Sequence, residues 1–207
     1  MMVFPGNGLG LVALGGLYHE TFHQWWSDSL SDASFDMTFF KEGMATLSVQ
    51  LFGANEAARQ AGGPSTKAGQ AAFERYLVRE FTSLYATGPG GWQLAPSNRS
   101  PAGYLDLYAV YERPKAALIA LRQILGPRGF DTALRSMQRR YAGSSITEPQ
   151  VEAAFAARLS NRGAACQRRL SQFFEQWFDT AYHGGKPQIT GPGLPGRPFF
   201  VSGCTRH

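Results

Sequence analysis

The feature that most constrains the fold of this chain is a pair of histidines, His19 and His23, placed four positions apart. Four residues is slightly more than one turn of an α-helix, so a helix brings both imidazoles to one face, where they can bind one Zn²⁺ ion together. Glu20 completes an H-E-x-x-H pattern, in which the glutamate reaches a water on the metal without binding the metal itself. The alternative interpretation of this pattern alone is a helix with two polar surface histidines.

A catalytic zinc site needs a third protein ligand and an open fourth position. Glu42 stands 19 residues after His23, on the next predicted helix. That helix can pack antiparallel on the first one and bring the carboxylate to the metal. Considered alone, Glu42 is better interpreted as a surface carboxylate than as a ligand.

The remainder of the chain predicts a mainly α-helical protein, because apolar residues recur at helical spacing between loops rich in Gly and Pro. Strand signals are few, and residues 11–14 are compatible with either a short strand or the start of a helix. Gly53, Gly126 and Gly143 are placed as helix ends. The predicted helices cover about residues 17–30, 35–52, 68–86, 103–125, 128–142, 148–159 and 166–182.

Composition restricts the class of protein further. Apolar residues make up 43% of the chain and charged residues 17%, which indicates a globular protein whose many aromatic residues mainly form a core. The net charge is +5, but Lys and Arg do not alternate with aromatic residues, so we expect a solvated basic face and no nucleic-acid site. No apolar run approaches the length of about 18 residues that predicts a membrane span. The first residues lack the basic region of a signal peptide, and the compartment stays open.

The two cysteines, Cys166 and Cys204, are too few for a disulfide scaffold and do not have the spacing of a zinc site. A single bridge that pins the end of the chain and two unrelated thiols are both compatible with the sequence.

Taken together, these motifs resemble the aminopeptidase N-type gluzincins, a family of zinc metallopeptidases. The H-E-x-x-H pattern is followed by eighteen residues and then by Glu42 in a KEGMA segment, and this spacing matches the family's signature. The resemblance continues through QWW at residues 24–26, VYERPKAAL at 110–118, FFEQW at 173–177 and GKP at 185–187.

The resemblance implies a fold and a set of site residues. The expected fold is the helical half of a thermolysin-like zincin catalytic domain, with little or no β-sheet retained. His19, His23 and Glu42 are expected to hold one Zn²⁺ ion, Glu20 to act as the general base, and the Tyr111 phenol to stabilise the oxyanion. The expected function is zinc-dependent hydrolysis of peptide bonds by an aminopeptidase. A zinc endopeptidase on the same scaffold, and a catalytically impaired module that binds zinc or a peptide, are the alternatives.

Three further positions are secondary candidates. Tyr104 and Tyr108 are weaker choices than Tyr111 for the phenol donor, and Asp36 is a candidate hydrogen-bond partner for a ligating histidine. The remaining histidines, His183 and His207, lack partners at ligand spacing and are expected to be exposed to solvent.

The sequence departs from the family pattern at two positions. If Met2 to Gly6 correspond to the family's Gly-x-Met-Glu-Asn motif, Val3 replaces the glutamate that binds the substrate's α-amine, and this favours the endopeptidase alternative. Pro114 stands where the family has glycine, and a proline inside a helix removes a backbone donor and bends the helix. We therefore expect a changed direction for the nearby Tyr111.

The resemblance also suggests a division of the chain. Residues 1–16 are expected to be the remnant of an upstream sheet region, residues 17–183 the helical zinc-peptidase domain, and residues 184–207 a Gly/Pro-rich tail or linker. The expected partners are a peptide substrate and a missing N-terminal β-domain.

Overall fold

The computed structural model describes residues 9–97, 106–200 and 204. The fold is mainly α-helical with only short strands, as predicted. Within these ranges, no helix combines the length and the apolar composition that crossing a membrane requires. The α-helices are α1 (Leu9–Phe22), α2 (Thr38–Gln60), α3 (Lys67–Tyr85), α4 (Arg113–Tyr141), α5 (Glu148–Ala156) and α6 (Ala164–Phe174).

The strands of the described residues form two parallel pairs. One pair connects distant parts of the chain, and the other closes a turn. β1 (Leu30–Asp32) pairs with β2 (Ser144–Ile146), so the segment after α1 is joined to the segment after α4. β3 (Ile189–Thr190) pairs with β4 (Arg197–Pro198) near the end of the chain. Neither pair is large enough to form a core of its own, so the helices carry the packing.

The first helix begins earlier and ends earlier than predicted. The ambiguous residues 11–14 are helical, whereas the prediction of a helix continuing to residue 30 is wrong. The backbone forms a π-helical turn at Gln24–Asp28, in which Ser27 has a φ of 154°. A positive φ is incompatible with a continuing helix, so the chain turns there and enters β1.

Helix α2 runs past Gly53, which the sequence analysis assigned as its end. Gly53 lies against the hydroxyl of Tyr76 on α3, and an added Cβ would collide with that hydroxyl. The glycine therefore permits a close approach of two helices and does not terminate one. The predicted loop after α2 is confirmed at residues 61–66, and Thr66 caps α3 by accepting a hydrogen bond from the Gly69 N–H at 2.9 Å.

Gly126 divides α4 into two helical segments, as its predicted role as a helix stop implies. Its φ of 73° and ψ of 158° are not helical, and glycine adopts them at little cost. Pro127 follows directly and begins the second limb, where its missing N–H would have no helical partner. The predicted start of the first limb, at residues 103–105, lies outside the described residues.

The core is one continuous cluster between α2, α3 and α4 that extends beneath α5 and α6. Its largest members are aromatic, and the prediction that most aromatic residues are structural is confirmed. Phe81 and Trp92 lie with their ring centroids 5.8 and 5.9 Å from that of Trp177, and all three side chains are at most 1% exposed.

A buried arginine, Arg113, joins three segments of the chain beside this cluster. Its guanidinium donates hydrogen bonds to the carbonyls of Leu94 (2.8 Å), Gln176 (2.8 Å) and Thr180 (2.6 Å). Burial lowers the pKa of Arg113 to about 10, which leaves the side chain charged at neutral pH. The sequence offered no signal that distinguished this arginine from the others.

The segment after residue 184, interpreted from the sequence as a tail or linker, packs against the helices in the structure. Ile189, Leu194 and Phe199 are buried. The Trp177 indole N–H donates to the Ile189 carbonyl at 2.7 Å. A disulfide joins Cys166 at the start of α6 to Cys204 and decides between the two readings of the cysteines.

Candidate metal centre

Helix α1 places the two histidines of the pentapeptide side by side. The Nε2 atoms of His19 and His23 are 3.1 Å apart, and the two rings meet edge to face with centroids 4.8 Å apart. Two neutral imidazole nitrogens at this separation are close enough to bind one metal ion together. The arrangement is thus compatible with a shared metal.

Helix α2 brings a carboxylate oxygen to the two imidazoles. The Glu42 Oε2 atom lies 3.1 Å from His19 Nε2 and 3.4 Å from His23 Nε2. A regular tetrahedron around zinc, with bonds of about 2.0–2.1 Å, has edges of about 3.3–3.4 Å. The three atoms thus form a triangle close to one face of that tetrahedron, so this donor set fits a zinc ion with an open fourth position.

Other contacts orient the two imidazoles. The His23 Nδ1 atom lies 3.1 Å from the Trp26 carbonyl oxygen, and the His19 Nδ1 atom lies 3.5 Å from Thr46 Oγ1. The hydroxyl of Thr46 itself donates to the Glu42 carbonyl at 2.7 Å. A proton on Nδ1 of His23 satisfies the carbonyl and leaves Nε2 free to bind a metal.

The Nδ1 contacts that are seen are made by the Trp26 carbonyl and by Thr46. Asp36 lies in the 3₁₀ turn Phe35–Met37, and its role as a hydrogen-bond partner of a ligating histidine stays a prediction. Thr46 had a detectable signal, because it stands one helical turn after Glu42 and thus on the same face of α2. The Trp26 carbonyl had none, because it depends on the turn that ends α1.

The electrostatics of the centre favour an ionised carboxylate at Glu42. Burial pushes the pKa of Glu42 upward, but the hydrogen bond with His19 and the charges of both histidines and Lys41 outweigh it, so the pKa lies below its usual value. An ionised carboxylate is the form that binds a metal.

A second carboxyl group near the centre behaves in the opposite way. Burial raises the pKa of Asp32 to about 7, an effect that Lys41 opposes and Glu42 reinforces. The Asp32 Oδ2 atom is buried and has no hydrogen-bond partner among the described residues. Asp32 was not singled out by the sequence analysis, because its burial follows from the packing of β1 on α2.

Glu20 lies beside the donors. Its side chain is exposed, and one carboxylate oxygen of Glu20 and one ring nitrogen each of His19 and His23 all lie within 4.8 Å of one another. The Glu42 Oε2 atom lies 3.1 and 3.4 Å from the Nε2 atoms of the same histidines. Glu20 therefore lies beside the groups that would hold a metal ion.

Tyr111 is the tyrosine that the structure brings to this centre. It belongs to a π-helical turn, Tyr108–Glu112, and its ring centroid lies 5.9 Å from that of His19. Tyr108, three residues earlier, is committed elsewhere, since its hydroxyl donates to the Leu84 carbonyl at 2.6 Å. Tyr104, the other alternative, lies outside the described residues.

Comparison with known proteins identifies the family. The model of the peptidase family M1 domain matches residues 16–177, which is most of the chain. The chain belongs to peptidase family M1. This confirms the resemblance to the aminopeptidase N-type gluzincins, which were recognised from the pentapeptide and Glu42.

Solved M1 structures share the fold. The chain is similar to the M1 zinc metallopeptidase of Deinococcus radiodurans, with a TM-score of 0.59 and 21% identity over 86% of this chain and 34% of that one. A variant of the Deinococcus radiodurans enzyme bound to a Tyr-Ser-Ala substrate has a TM-score of 0.59 and 20% identity, over 84% of this chain and 34% of that one. A two-domain M1 zinc metallopeptidase variant bound to L-tryptophan gives the same values. This chain thus spans about a third of the length of these relatives, and no curated protein matches it.

Four other positions were singled out in the sequence: Pro114, His183, Val3 and His207. Pro114 is the second residue of α4, directly after the π-helical turn that carries Tyr111. In that turn the Arg113 N–H donates to the Tyr108 carbonyl, so the backbone is wider there than in an α-helix. His183 is exposed, as expected. Val3 and His207 lie outside the described residues.

Proposed function

We propose that this M1 family member is a zinc-dependent metallopeptidase that acts as an aminopeptidase. The observation that carries the proposal is the triangle formed by His19 Nε2, His23 Nε2 and Glu42 Oε2, with edges of 3.1, 3.1 and 3.4 Å. We propose these three groups as the ligands of one zinc ion. Family membership and the zinc metallopeptidases among the structural relatives support this assignment.

The proposed mechanism assigns one task to each residue around the centre. Zinc, when bound, supplies a Lewis acid that polarises the scissile carbonyl and lowers the pKa of water. The Glu20 carboxylate accepts the proton of the attacking water and passes it to the leaving amine. The Tyr111 phenol donates a hydrogen bond to the oxyanion that develops on the substrate carbonyl.

The preference for substrates with a free N-terminus rests on weaker support. A structural relative is described with a Tyr-Ser-Ala substrate and another with L-tryptophan, which is compatible with release of single amino acids. If residues 2–6 correspond to the family's Gly-x-Met-Glu-Asn motif, Val3 favours the alternative of an endopeptidase, because a neutral side chain cannot pair with an ammonium group. We retain the aminopeptidase as the first proposal and the endopeptidase as the second.

A third possibility, a module that binds zinc or a peptide without turnover, is favoured by the surroundings of the centre. Leu17 and Trp25, which flank the two histidines, are 54% and 50% exposed. Oxyanion stabilisation is strongest in a site that excludes water, so an open wall lowers catalytic efficiency.

One experiment separates these functions. The purified 207-residue protein is assayed for bound zinc and for hydrolysis of a fluorogenic aminoacyl substrate, with and without a chelator. The Glu20→Gln variant is compared with Glu56→Gln, which alters an exposed carboxylate on α2 that pairs with Arg59. We expect one zinc per chain, activity that chelation removes, and a loss of about 10²- to 10⁴-fold in Glu20→Gln only.

Each alternative function predicts a different result in this experiment. Activity that survives chelation or the Glu20→Gln change contradicts the zinc peptidase. Stoichiometric zinc without turnover supports the binding module. Equal cleavage of N-terminally blocked and free peptides supports the endopeptidase over the aminopeptidase.

A further inference from the structure

Helix α2 and the start of α4 approach each other unusually closely at one point, between Gly43 and Pro114. A Cβ atom added to Gly43 would lie 2.6 Å from the Pro114 Cβ, 3.4 Å from the Pro114 carbonyl carbon and 3.5 Å from the Lys115 nitrogen. Both residues are buried. The atoms on the α4 side are a rigid ring and backbone, so they cannot rotate away from an added methyl group.

This contact lies between two residues of the proposed site. Gly43 directly follows the ligand Glu42 on α2, and Pro114 stands three residues after Tyr111. The π-helical turn that carries Tyr111 ends at Glu112, so only Arg113 separates it from the contact. Any change in the separation of the two elements at this point therefore moves the carboxylate and the phenol relative to each other.

We propose that the contact between Gly43 and Pro114 is the spacer that sets the position of Tyr111 relative to the metal ligands, which makes both of them positioning residues. The inference rests on the proposed function, because it concerns the same centre. It adds that the glycine after the ligating glutamate is required for its lack of a side chain. It also adds that the proline in the tyrosine helix forms the opposing surface.

The size of the expected effect follows from the geometry. Carbon atoms in contact are normally about 3.5–4.0 Å apart, so an added methyl at 2.6 Å requires the elements to separate by about 1 Å. A displacement of about 1 Å in a catalytic site is enough to reduce turnover by about 10²-fold. Changes in groups that orient a ligand reduce metal affinity by about 10- to 100-fold.

The test is a size-compensation series in the full 207-residue chain. Gly43→Ala introduces the methyl group, and Pro114→Gly in the same chain removes the atom that it meets. Pro114→Ala is the matched comparison, since it restores the backbone N–H but keeps the Cβ. Zinc affinity is measured by chelator competition, ligand geometry by the visible spectrum of the Co²⁺-loaded protein, and turnover by kcat and KM.

We expect Gly43→Ala to weaken zinc binding by about tenfold or more, to change the Co²⁺ spectrum and to lower kcat more than it raises KM. Combination with Pro114→Gly should restore zinc affinity to within about threefold of the unaltered protein, while combination with Pro114→Ala should not. Gly53→Ala is the control for a tight glycine on the same helix, because the added methyl meets Tyr76 on α3 and not the helix that follows Tyr111. It should leave zinc affinity unchanged.

If Gly43→Ala does not fold, Pro114→Val is tested instead, because it alters the α4 side of the same contact. This variant should weaken zinc binding severalfold. Unchanged zinc affinity and Co²⁺ spectrum in Gly43→Ala, or equal behaviour of the two double variants, would overturn the positioning role alone. An unaltered protein that binds no zinc would overturn the proposed function, and the positioning role would fall with it.

Discussion

The candidate metal centre and the aromatic core around Trp177 are built in different ways. The centre depends on side chains from α1 and α2, and its neighbours Leu17 and Trp25 are half exposed. The core around Trp177 is almost wholly excluded from solvent, and Arg113 joins its surrounding segments through buried hydrogen bonds. The contrast teaches that the candidate residues for chemistry and the residues that form the core are largely separate in this chain.

A physical reason underlies this separation. A catalytic metal must keep one position open to substrate and water, so its ligands cannot be sealed within the core. The free energy of folding, by contrast, depends on apolar surface removed from water. Substitutions in the two regions should therefore change activity and stability independently, and four predictions examine that independence.

The largest expected effect is on the chemistry of the centre. His23→Ala removes one of three proposed ligands and should lower activity by about 10⁴-fold, or ~5.5 kcal/mol in the activation barrier. The free energy of unfolding of the metal-free protein should change by less than about 1 kcal/mol, because His23 is only partly buried. Activity assays and denaturant titrations in a chelating buffer measure the two quantities. His183→Ala, at an exposed histidine far from the centre in sequence, is the control, and equal losses in both variants would contradict the assignment.

In the core, Trp177→Ala should lower the free energy of unfolding and leave zinc binding unchanged. Its side chain is fully buried and its indole donates to the Ile189 carbonyl, so truncation leaves a cavity and an unpaired carbonyl. We expect a loss of about 4 kcal/mol in the free energy of unfolding. Zinc content per folded molecule, measured below the unfolding transition, should not change. A parallel loss of zinc affinity would show that core and centre are coupled.

Removal of the disulfide should have a smaller effect on stability. The bridge between Cys166 and Cys204 closes a loop of 38 residues, and chain-entropy arguments give about 3–4 kcal/mol for a loop of this length. The double variant Cys166→Ala/Cys204→Ala is preferable to reduction, because it avoids new charged thiolates. Thermal unfolding with and without reductant should converge for this variant. A stability equal to that of the unaltered protein would show that the burial of Phe199 and its neighbours holds the segment without the bridge.

The smallest expected effect is a pH dependence of stability that originates at Asp32. The pKa of Asp32 is raised to about 7 from 3.8, so the folded state binds a proton more tightly than the unfolded state. The favourable contribution is complete below about pH 4 and is lost as the pH rises toward 7, because burying the ionised carboxylate is costly. In metal-free protein, Asp32→Asn should remove about 2 kcal/mol of the stability difference between pH 5 and pH 8. Identical pH profiles for Asp32→Asn and the unaltered protein would contradict this pKa.

Much of the helical organisation could be predicted from local patterns, and the failures have identifiable causes. The apolar period of residues 68–86 correctly located α3. Gly53 was assigned as a helix end because an isolated glycine carries no information about what lies across from it. Its actual neighbour, Tyr76, is 23 positions away in the chain. The end of α1 was missed because no residue near Ser27 is a conventional helix breaker, and the turn depends on pairing between β1 and β2.

The sequence by itself determined the donor types of the centre and the helix that carries two of them, because the spacing of His19 and His23 has only one consequence on an α-helix. It also determined the family, through a pattern that includes Glu42. Only the tertiary structure decided that Glu42 lies 3.1 and 3.4 Å from the histidine nitrogens, that Tyr111 rather than Tyr108 faces them, and that Cys166 is bonded to Cys204. These are contacts between elements, and their distances depend on how closely helices approach, which the packing of residues such as Gly43 and Pro114 decides.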